Sequence, residues 1–234
     1  MTRKQTNFSL SLAALAALTT STLMISTSAT AFEGDDITTS GSVTLLTDYR
    51  FRGISLSDKK AALQGSLEVS KSGFYVGSWA SSLTEKSGAN LELDYYGGYR
   101  GTLKDLDYDV GLTVYTYPGL ASSAYVEAYG YLSGTVAKTG ITTGVAYVWG
   151  QDNLGGQKNG YIILDSGTEL TKSGISLNTH IGYEDGAFAD KKWDWSAGLS
   201  LPVDTFTLSV DYIDTNQSFR EGGAGVIASL SASF

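Results

Sequence analysis

Apolar and polar residues alternate with a period of two along much of the chain, the pattern of strands with one apolar and one polar face. In residues 90–103 the apolar face comprises Leu91, Leu93, Tyr95, Gly97, Tyr99, Gly101 and Leu103. The opposite face comprises Asn90, Glu92, Asp94, Tyr96, Gly98, Arg100 and Thr102. Residues 175–184 and 192–201 divide in the same way. The pattern therefore predicts strands that separate an apolar from a polar environment.

Short polar turns interrupt these strands at regular intervals. Lys71, Lys104, Lys138 and Lys172 lie 33, 34 and 34 residues apart, each in a tight turn, and a fifth turn follows at residues 203–205. Longer polar loops lie between successive turns, at about residues 54–60, 84–89, 118–123, 151–159, 185–191 and 215–223. Bacterial outer-membrane barrels alternate short periplasmic turns with longer extracellular loops. Counting the segments predicts twelve strands, the last of which ends at Phe234.

Alternation would also suit a soluble β-sandwich, but two further features favour a membrane barrel. Each predicted crossing has about 10 residues, the length that a tilted strand needs to cross a bilayer. Aromatic residues collect at the predicted strand ends, as in interfacial girdles. Those toward the long loops are Tyr49, Phe51, Trp79, Tyr117, Trp149, Tyr183, Trp193 and Tyr212, and those toward the turns are Phe206 and Phe234. We predict an all-β fold, a transmembrane antiparallel up-and-down β-barrel.

The N-terminal region has the features of a secretory signal peptide in the expected order. Arg3 and Lys4 precede a largely apolar stretch at residues 8–25, and Ala29-Thr30-Ala31 offers a cleavage site. We predict a signal peptide over residues 1–31, a periplasmic N-terminal segment over 32–41 and the barrel over 42–234. Cleavage would leave 14 basic against 24 acidic residues, a net charge of −10.

Composition argues against several kinds of site. The chain has no cysteine, so disulfides, thiol catalysis and cysteine metal ligands are excluded. The acidic charge and the lack of a basic stripe oppose nucleic-acid binding. Residues 105–109 begin like a calcium loop, but Val110 and Thr116 stand where such a loop needs glycine and glutamate. We expect no cofactor and no metal.

Three segments in the first part of the chain carry a family resemblance. They are Asp48-Tyr49-Arg50-Phe51-Arg52-Gly53-Ile54-Ser55, Ala62-Leu63-Gln64-Gly65 and Ser72-Gly73-Phe74-Tyr75-Val76-Gly77-Ser78-Trp79. This region resembles the start of the TorF-type porins of bacteria. The resemblance covers residues 43–100 and implies a channel-like protein in the outer membrane of a Gram-negative bacterium. It supplies no catalytic or substrate-binding residues.

The polar faces of the predicted strands define a lumen with an excess of acid. The acidic residues expected to line the pore are Asp48, Glu68, Glu92, Asp94, Asp107, Asp109, Glu127, Asp165, Glu169, Glu184, Asp194 and Asp211. The bases expected there are Arg50, Arg52, Arg100 and Lys192, together with the single histidine, His180. Carboxylates in a low-dielectric passage favour cations. We therefore predict a narrow, mildly cation-preferring channel for passive diffusion of small polar solutes.

Alternatives to this picture stay open. Acids and bases in a barrel of about twelve strands could form internal ion pairs that close the lumen, which would make a structural or surface-interaction barrel. Alternatively, Arg50 and Arg52 could point inward from one strand and face Glu92 and Asp94 across a constriction. Residues 32–41 could enter the lumen or form a disordered leader. A lipid-directed enzyme would need a nucleophile within reach of His180, and Ser176 on the same strand is too far away.

Several partners follow from the predicted location. The outer face should contact outer-membrane lipids and lipopolysaccharide, and we expect the barrel-assembly machinery to recognise the chain through Phe234. Small solutes are the expected cargo. The sequence does not separate a lipid-facing patch from a subunit-facing one, so homo-oligomerisation stays open.

Overall fold

A computed structural model of the protein describes residues 37–84, 89–121 and 123–234. The predicted signal peptide, with the start of the segment that follows it, lies outside this range. The strands are β1 (Ile37–Leu46), β2 (Arg50–Phe51), β3 (Ile54–Ser55), β4 (Ala62–Lys71), β5 (Phe74–Ser82), β6 (Leu91–Leu103), β7 (Leu106–Thr116), β8 (Tyr125–Val136), β9 (Thr139–Val148), β10 (Asn159–Glu169), β11 (Ser176–Gly186), β12 (Lys192–Val203), β13 (Phe206–Thr215) and β14 (Gly225–Ser233). Short 3₁₀ helices occur at Asp152–Leu154 and Arg220–Gly222. In these ranges no helix has the length and apolar character needed to cross a membrane.

Twelve strands of the described chain form a closed antiparallel barrel in sequential order. Strand β1 closes it by pairing with β4 on one side and β14 on the other, with Leu46 opposite Ala62 and Val43 opposite Ala232. Tight turns join the hairpins at one end, where Ser72, Lys104 and other turn residues adopt positive φ. The predicted all-β barrel fold is confirmed.

Side chains follow the predicted alternation between the two faces of the barrel wall. Along β12 the apolar residues Trp193, Trp195 and Leu199 are exposed on the outside, whereas Lys192 and Asp194 are buried inside. Strands β6 and β11 divide in the same way. An apolar outer surface thus surrounds a polar, charged interior.

The barrel begins earlier than the predicted boundary at residue 42. Strand β1 starts at Ile37, and its residues 37–41 pair with residues 67–71 of β4. These five residues were expected to form a leader or to enter the lumen, but they belong to the wall. Pairing with β4, and the exchange of hydrogen bonds between Gly41 and Phe234, gives this part of the chain backbone partners within the wall.

The connection between β1 and β4 enters the barrel. Within it, β2 and β3 form a small two-stranded sheet separate from the wall, with Arg50 opposite Ser55 and Phe51 opposite Ile54. Arg50 and Arg52 were predicted to lie on a barrel strand, and that prediction is wrong. We call residues 48–57 the inner hairpin.

Four aromatic residues predicted for the outer girdle lie inside instead. Tyr49 belongs to the inner hairpin and is 1% exposed, Trp79 is buried on the inner face of β5, and Phe51 and Tyr117 also pack inside. Tyr49 and Trp79 contact each other, with ring centroids 5.5 Å apart. Trp149, Trp193, Tyr212, Phe206 and Phe234 are exposed on the outside. The inner aromatic residues fill the space between the hairpin and the wall.

Candidate functional site

Hydroxyl and carboxylate groups within the inner hairpin hold its turn together. The Asp48 carboxylate accepts hydrogen bonds from Arg50 Nε at 2.8 Å, from the Ser55 hydroxyl at 2.5 Å and from the Ser57 hydroxyl at 3.1 Å. Ser57 Oγ in turn accepts one from the Tyr49 backbone N–H at 2.8 Å. Asp48 therefore organises the segment from its first residue, because short polar side chains bond readily to nearby turn groups.

The tip of the inner hairpin depends on left-handed backbone geometry. Arg52 has φ 49° and Gly53 has φ 81°. At Gly53 a Cβ would overlap the Thr215 methyl group and would lie 2.9 Å from Asp194 Cβ. The residue after Arg52 must therefore be small as well as tolerant of positive φ. This geometry points the Arg52 side chain into the middle of the lumen.

The Arg52 guanidinium lies between two glutamates on different strands of the barrel wall, Glu127 on β8 and Glu184 on β11. Its Nη2 donates to both carboxylate oxygens of Glu127, at 2.7 and 2.6 Å, and its Nη1 donates to Glu184 Oε1 at 2.6 Å. Lys192 Nζ lies 2.7 Å from Glu184 Oε2 and donates to the Arg52 carbonyl oxygen at 2.5 Å. We call Arg52, Glu127, Glu184 and Lys192 the Arg52 cluster. All four are buried, and Glu127 is 0% exposed.

Aromatic faces complete the surroundings of the guanidinium. The Arg52 Cζ atom lies 4.2 Å from the ring centroid of Tyr161 and 4.7 Å from that of Phe51. A guanidinium within about 6 Å of an aromatic centroid is attracted by the ring quadrupole. The hairpin tip is thus held by charge, hydrogen bonds and stacking together.

Further contacts fix the remainder of the connection to the wall and to the loop between β13 and β14. Arg50 Nη1 donates to the Gly223 carbonyl oxygen at 2.8 Å. The Tyr49 hydroxyl donates to Glu92 Oε2 at 2.7 Å. Burial raises the pKa of the Tyr49 phenol well above its usual range, and the adjacent Glu92 carboxylate raises it further. Tyr49 therefore keeps its proton and remains a donor. Asp58 forms an ion pair with Arg220.

His180 lies in a carboxylate-rich group next to the Arg52 cluster. Its Nδ1 is 2.6 Å from Asp165 Oδ1, and its Nε2 is 2.9 Å from Asp194 Oδ1 and 3.0 Å from the Tyr161 hydroxyl. Both ring nitrogens are engaged, so the histidine is not poised as a base for a hydroxyl nucleophile. Ser176 instead donates to the Gly174 carbonyl oxygen at 3.3 Å.

A separate ion-pair group lies toward the short turns. Arg100 Nη1 is 2.6 Å from Glu68 Oε1, and Arg100 Nε is 3.0 Å from Asp109 Oδ2. The Arg100 Cζ atom lies 3.6 Å from the ring centroid of Tyr75, whose hydroxyl donates to Asp109 at 2.5 Å. Unlike Arg52, Arg100 belongs to a wall strand, β6.

The predicted lumen acids divide into paired and unpaired groups. The paired acids are Asp48, Glu68, Asp109, Glu127, Asp165, Glu184 and Asp194. Among described residues, no basic nitrogen lies within 4 Å of Glu92, Asp94, Asp107, Glu169 or Asp211. Glu169 is exposed at the end of β10. The alternative in which Arg50 and Arg52 face Glu92 and Asp94 is wrong, because the hairpin directs Arg50 to Asp48 and Arg52 to Glu127 and Glu184.

Inward-facing tyrosines are the main lumen feature that the charged-residue prediction omitted. Tyr129 and Tyr131 have the same strand parity as Glu127, so the alternation itself could have identified them. The Tyr161 ring lies over Gly182 of the next strand, where a Cβ would overlap it, and Tyr129 lies over Gly111 in the same way. These glycines let bulky rings lie flat against the inner wall.

Fold and interior together define a porin-like β-barrel. The structure is similar to that of the KdgM porin, with a TM-score of 0.60, 8% sequence identity and coverage of 83% of this chain and 99% of that one. It is similar to the NanC porin, with a TM-score of 0.56, 14% identity and coverage of 83% and 98%. Residues 30–226 match the family described as bacterial proteins of unknown function, Gcw_chp, and the chain belongs to it.

No curated protein matches the chain. The predicted likeness to porins is confirmed for the fold, whereas the TorF name stays a prediction.

Proposed function

We propose that the protein is an outer-membrane channel for passive diffusion of small polar solutes, narrowed by the inner hairpin and mildly cation-preferring. The observation that carries the proposal is the hairpin held across a charged lumen inside a closed apolar-faced barrel. In this proposal residues 1–31 are removed on export, and Phe234 serves recognition by the assembly machinery. The long loops face the cell exterior.

The outer surface supports a location in lipid. Leu164 in the middle of β10 is 50% exposed, and it is one of many large apolar side chains on the outer face. A closed barrel satisfies every strand hydrogen bond within the wall, as a hydrocarbon environment requires. The apolar outer surface is therefore what we expect of a barrel surrounded by the acyl chains of a bilayer.

Replacing Leu164 with glutamate tests this location. We expect the free energy of unfolding in lipid vesicles to fall by about 2 kcal/mol, because the charge would face hydrocarbon at mid-depth. Leu170, 54% exposed beside a short turn, is the matched control, and Leu170→Glu should cost at most about 1 kcal/mol. Urea unfolding followed by tryptophan fluorescence measures both. Equal losses at the two depths would contradict a membrane location.

The charge of the lumen supports the cation preference. At the level of the hairpin tip, four carboxylates, those of Glu127, Glu184, Asp194 and Asp165, lie among three basic side chains, Arg52, Lys192 and His180. A solute passing the hairpin would therefore meet a negative field focused by the barrel wall.

The burial of the Arg52 cluster favours a second function, a closed structural barrel. Recording from the purified protein in planar bilayers decides between them. Stepwise currents whose reversal potential in a salt gradient favours cations would support the channel. The channel function would be contradicted if the protein migrates as a folded barrel on a heat-modifiability gel but passes no current. The closed structural barrel would then be the supported function.

A further inference from the structure

We propose that the Arg52 cluster is a recognition site for a guanidinium-bearing solute, and that Arg52 occupies this site from within the chain. The inference deepens the proposed channel function and rests on it, because the solute would reach the site through the lumen. Arg52 would then act as an internal competitor that the cargo displaces.

The contacts of Arg52 are those by which proteins recognise a planar guanidinium. Glu127 accepts two hydrogen bonds from one terminal nitrogen and Glu184 accepts one from the other. Tyr161 covers one face of the group. The two terminal nitrogens of one planar group thus bond two separate carboxylates at once, which a compact ammonium with its single nitrogen is less suited to do. The site is therefore selective by shape as well as by charge.

The acceptor groups belong to the wall, and each also has a contact that does not involve the hairpin. Glu127 accepts a hydrogen bond from the Tyr115 hydroxyl at 3.0 Å. Glu184 accepts one from Asn159 Nδ2 at 3.0 Å and pairs with Lys192 at 2.7 Å. These contacts join wall residues to one another. In this proposal these wall contacts keep the two glutamates in place when a solute displaces the hairpin.

The hairpin fills the site imperfectly. Arg52 adopts a positive φ, a conformation that is strained for a residue with a Cβ. Its Nε is buried without a hydrogen-bond partner among the described residues, and so is Asp194 Oδ2, which lies 3.8 Å from Lys192 Nζ. Asp194 is 2% exposed. A free guanidinium, unconstrained by the chain, could use acceptors that Arg52 leaves unused.

Arg100 provides a contrast within the same barrel. It is also paired with two carboxylates and stacked on a tyrosine, but it projects from wall strand β6. Its backbone is fixed by the pairing of β6 with its neighbours, so only its side chain could move aside. In the Arg52 cluster, by contrast, acceptors on wall strands hold a guanidinium that is carried on a connection between strands.

The test measures binding of methylguanidinium to the full-length barrel and to Arg52→Ala. We expect Arg52→Ala to bind at least about tenfold more tightly than wild type, because the internal competitor is gone. Binding is read as a rise in the thermal unfolding midpoint in detergent and as block of the bilayer current. Adding Glu127→Gln to Arg52→Ala should weaken binding by about tenfold or more, since a charge-assisted hydrogen-bond pair is lost.

Three results would overturn the proposal. A folded Arg52→Ala barrel that does not bind methylguanidinium removes the site. Equal binding of methylammonium reduces it to general cation attraction. If Arg100→Ala binds methylguanidinium as tightly as Arg52→Ala does, the cation fills any cavity left by a removed arginine and the site is not specific. If Arg52→Ala does not fold, Arg52→Lys keeps a charge at the hairpin tip, and methylguanidinium should still displace it more readily than it displaces arginine.

The two readouts separate this proposal from the channel function. The unfolding midpoint can be measured without a current. A barrel that binds methylguanidinium but never conducts would therefore contradict the channel function and leave the recognition site intact. The barrel could also conduct while methylguanidinium neither raises the unfolding midpoint of Arg52→Ala nor blocks its current. That result would contradict the recognition site and leave the channel function intact.

Discussion

Replacing Glu127 with glutamine is expected to lower the free energy of unfolding by about 3–5 kcal/mol, the usual loss when one partner of a buried ion pair is removed. Glu127 is 0% exposed and accepts two hydrogen bonds from Arg52 and one from Tyr115. Glutamine has almost the same shape but no charge, and its amide nitrogen would face a donor. The Arg52 guanidinium would then keep only Glu184 as an anionic partner.

Urea unfolding in lipid vesicles measures this loss. Glu169→Gln is the matched control, because Glu169 is exposed at the end of β10 and the same change should stay within about 0.5 kcal/mol. Combining Glu127→Gln with Arg52→Met should cost less than the sum of the single changes, since the pair acts as a unit. A loss at Glu127 no greater than at Glu169 would show that the hairpin is not held by this ion pair.

The barrel was predictable from the sequence because a membrane wall imposes a strict rule on each strand. In β6 and β12 every second side chain must face outward, so the period of two and the short turns define the fold. Residues 48–53 obey the same alternation but belong to the inner hairpin. Inside a lumen both faces of a short hairpin meet protein, so Tyr49 and Phe51 find apolar partners there.

The candidate site was predictable only in part. Strand parity indicated that Glu127 and Glu184 face inward, and they do. Parity does not give the height of a residue in the barrel, which depends on strand register and tilt. Arg52 lies 75 residues from Glu127 and 132 from Glu184, and their meeting depends on where the connection between β1 and β4 folds. No local pattern encodes that path.

Replacing Gly53, the residue after Arg52, is the second change with a large expected effect on stability. Gly53→Ala is expected to lower the free energy of unfolding by about 3 kcal/mol, because it combines a positive-φ penalty of about 1–2 kcal/mol with overpacking. The new methyl group would overlap Thr215 and crowd Asp194. The hairpin tip would have to move away from β12 and β13, and with it the Arg52 carbonyl oxygen that Lys192 contacts.

Gly155→Ala isolates the steric part of this effect. Gly155 has φ 63° and no atom within 4 Å of where a Cβ would stand, so its replacement should cost only the backbone penalty of about 1–2 kcal/mol. Urea unfolding of both variants gives the difference, which reports how tightly the inner hairpin is packed against the wall. Equal losses would mean that the hairpin yields without cost, and a segment that yields so easily could not narrow a lumen. A larger loss at Gly53, together with a larger bilayer current, would show that the packing of this one residue keeps the hairpin in place.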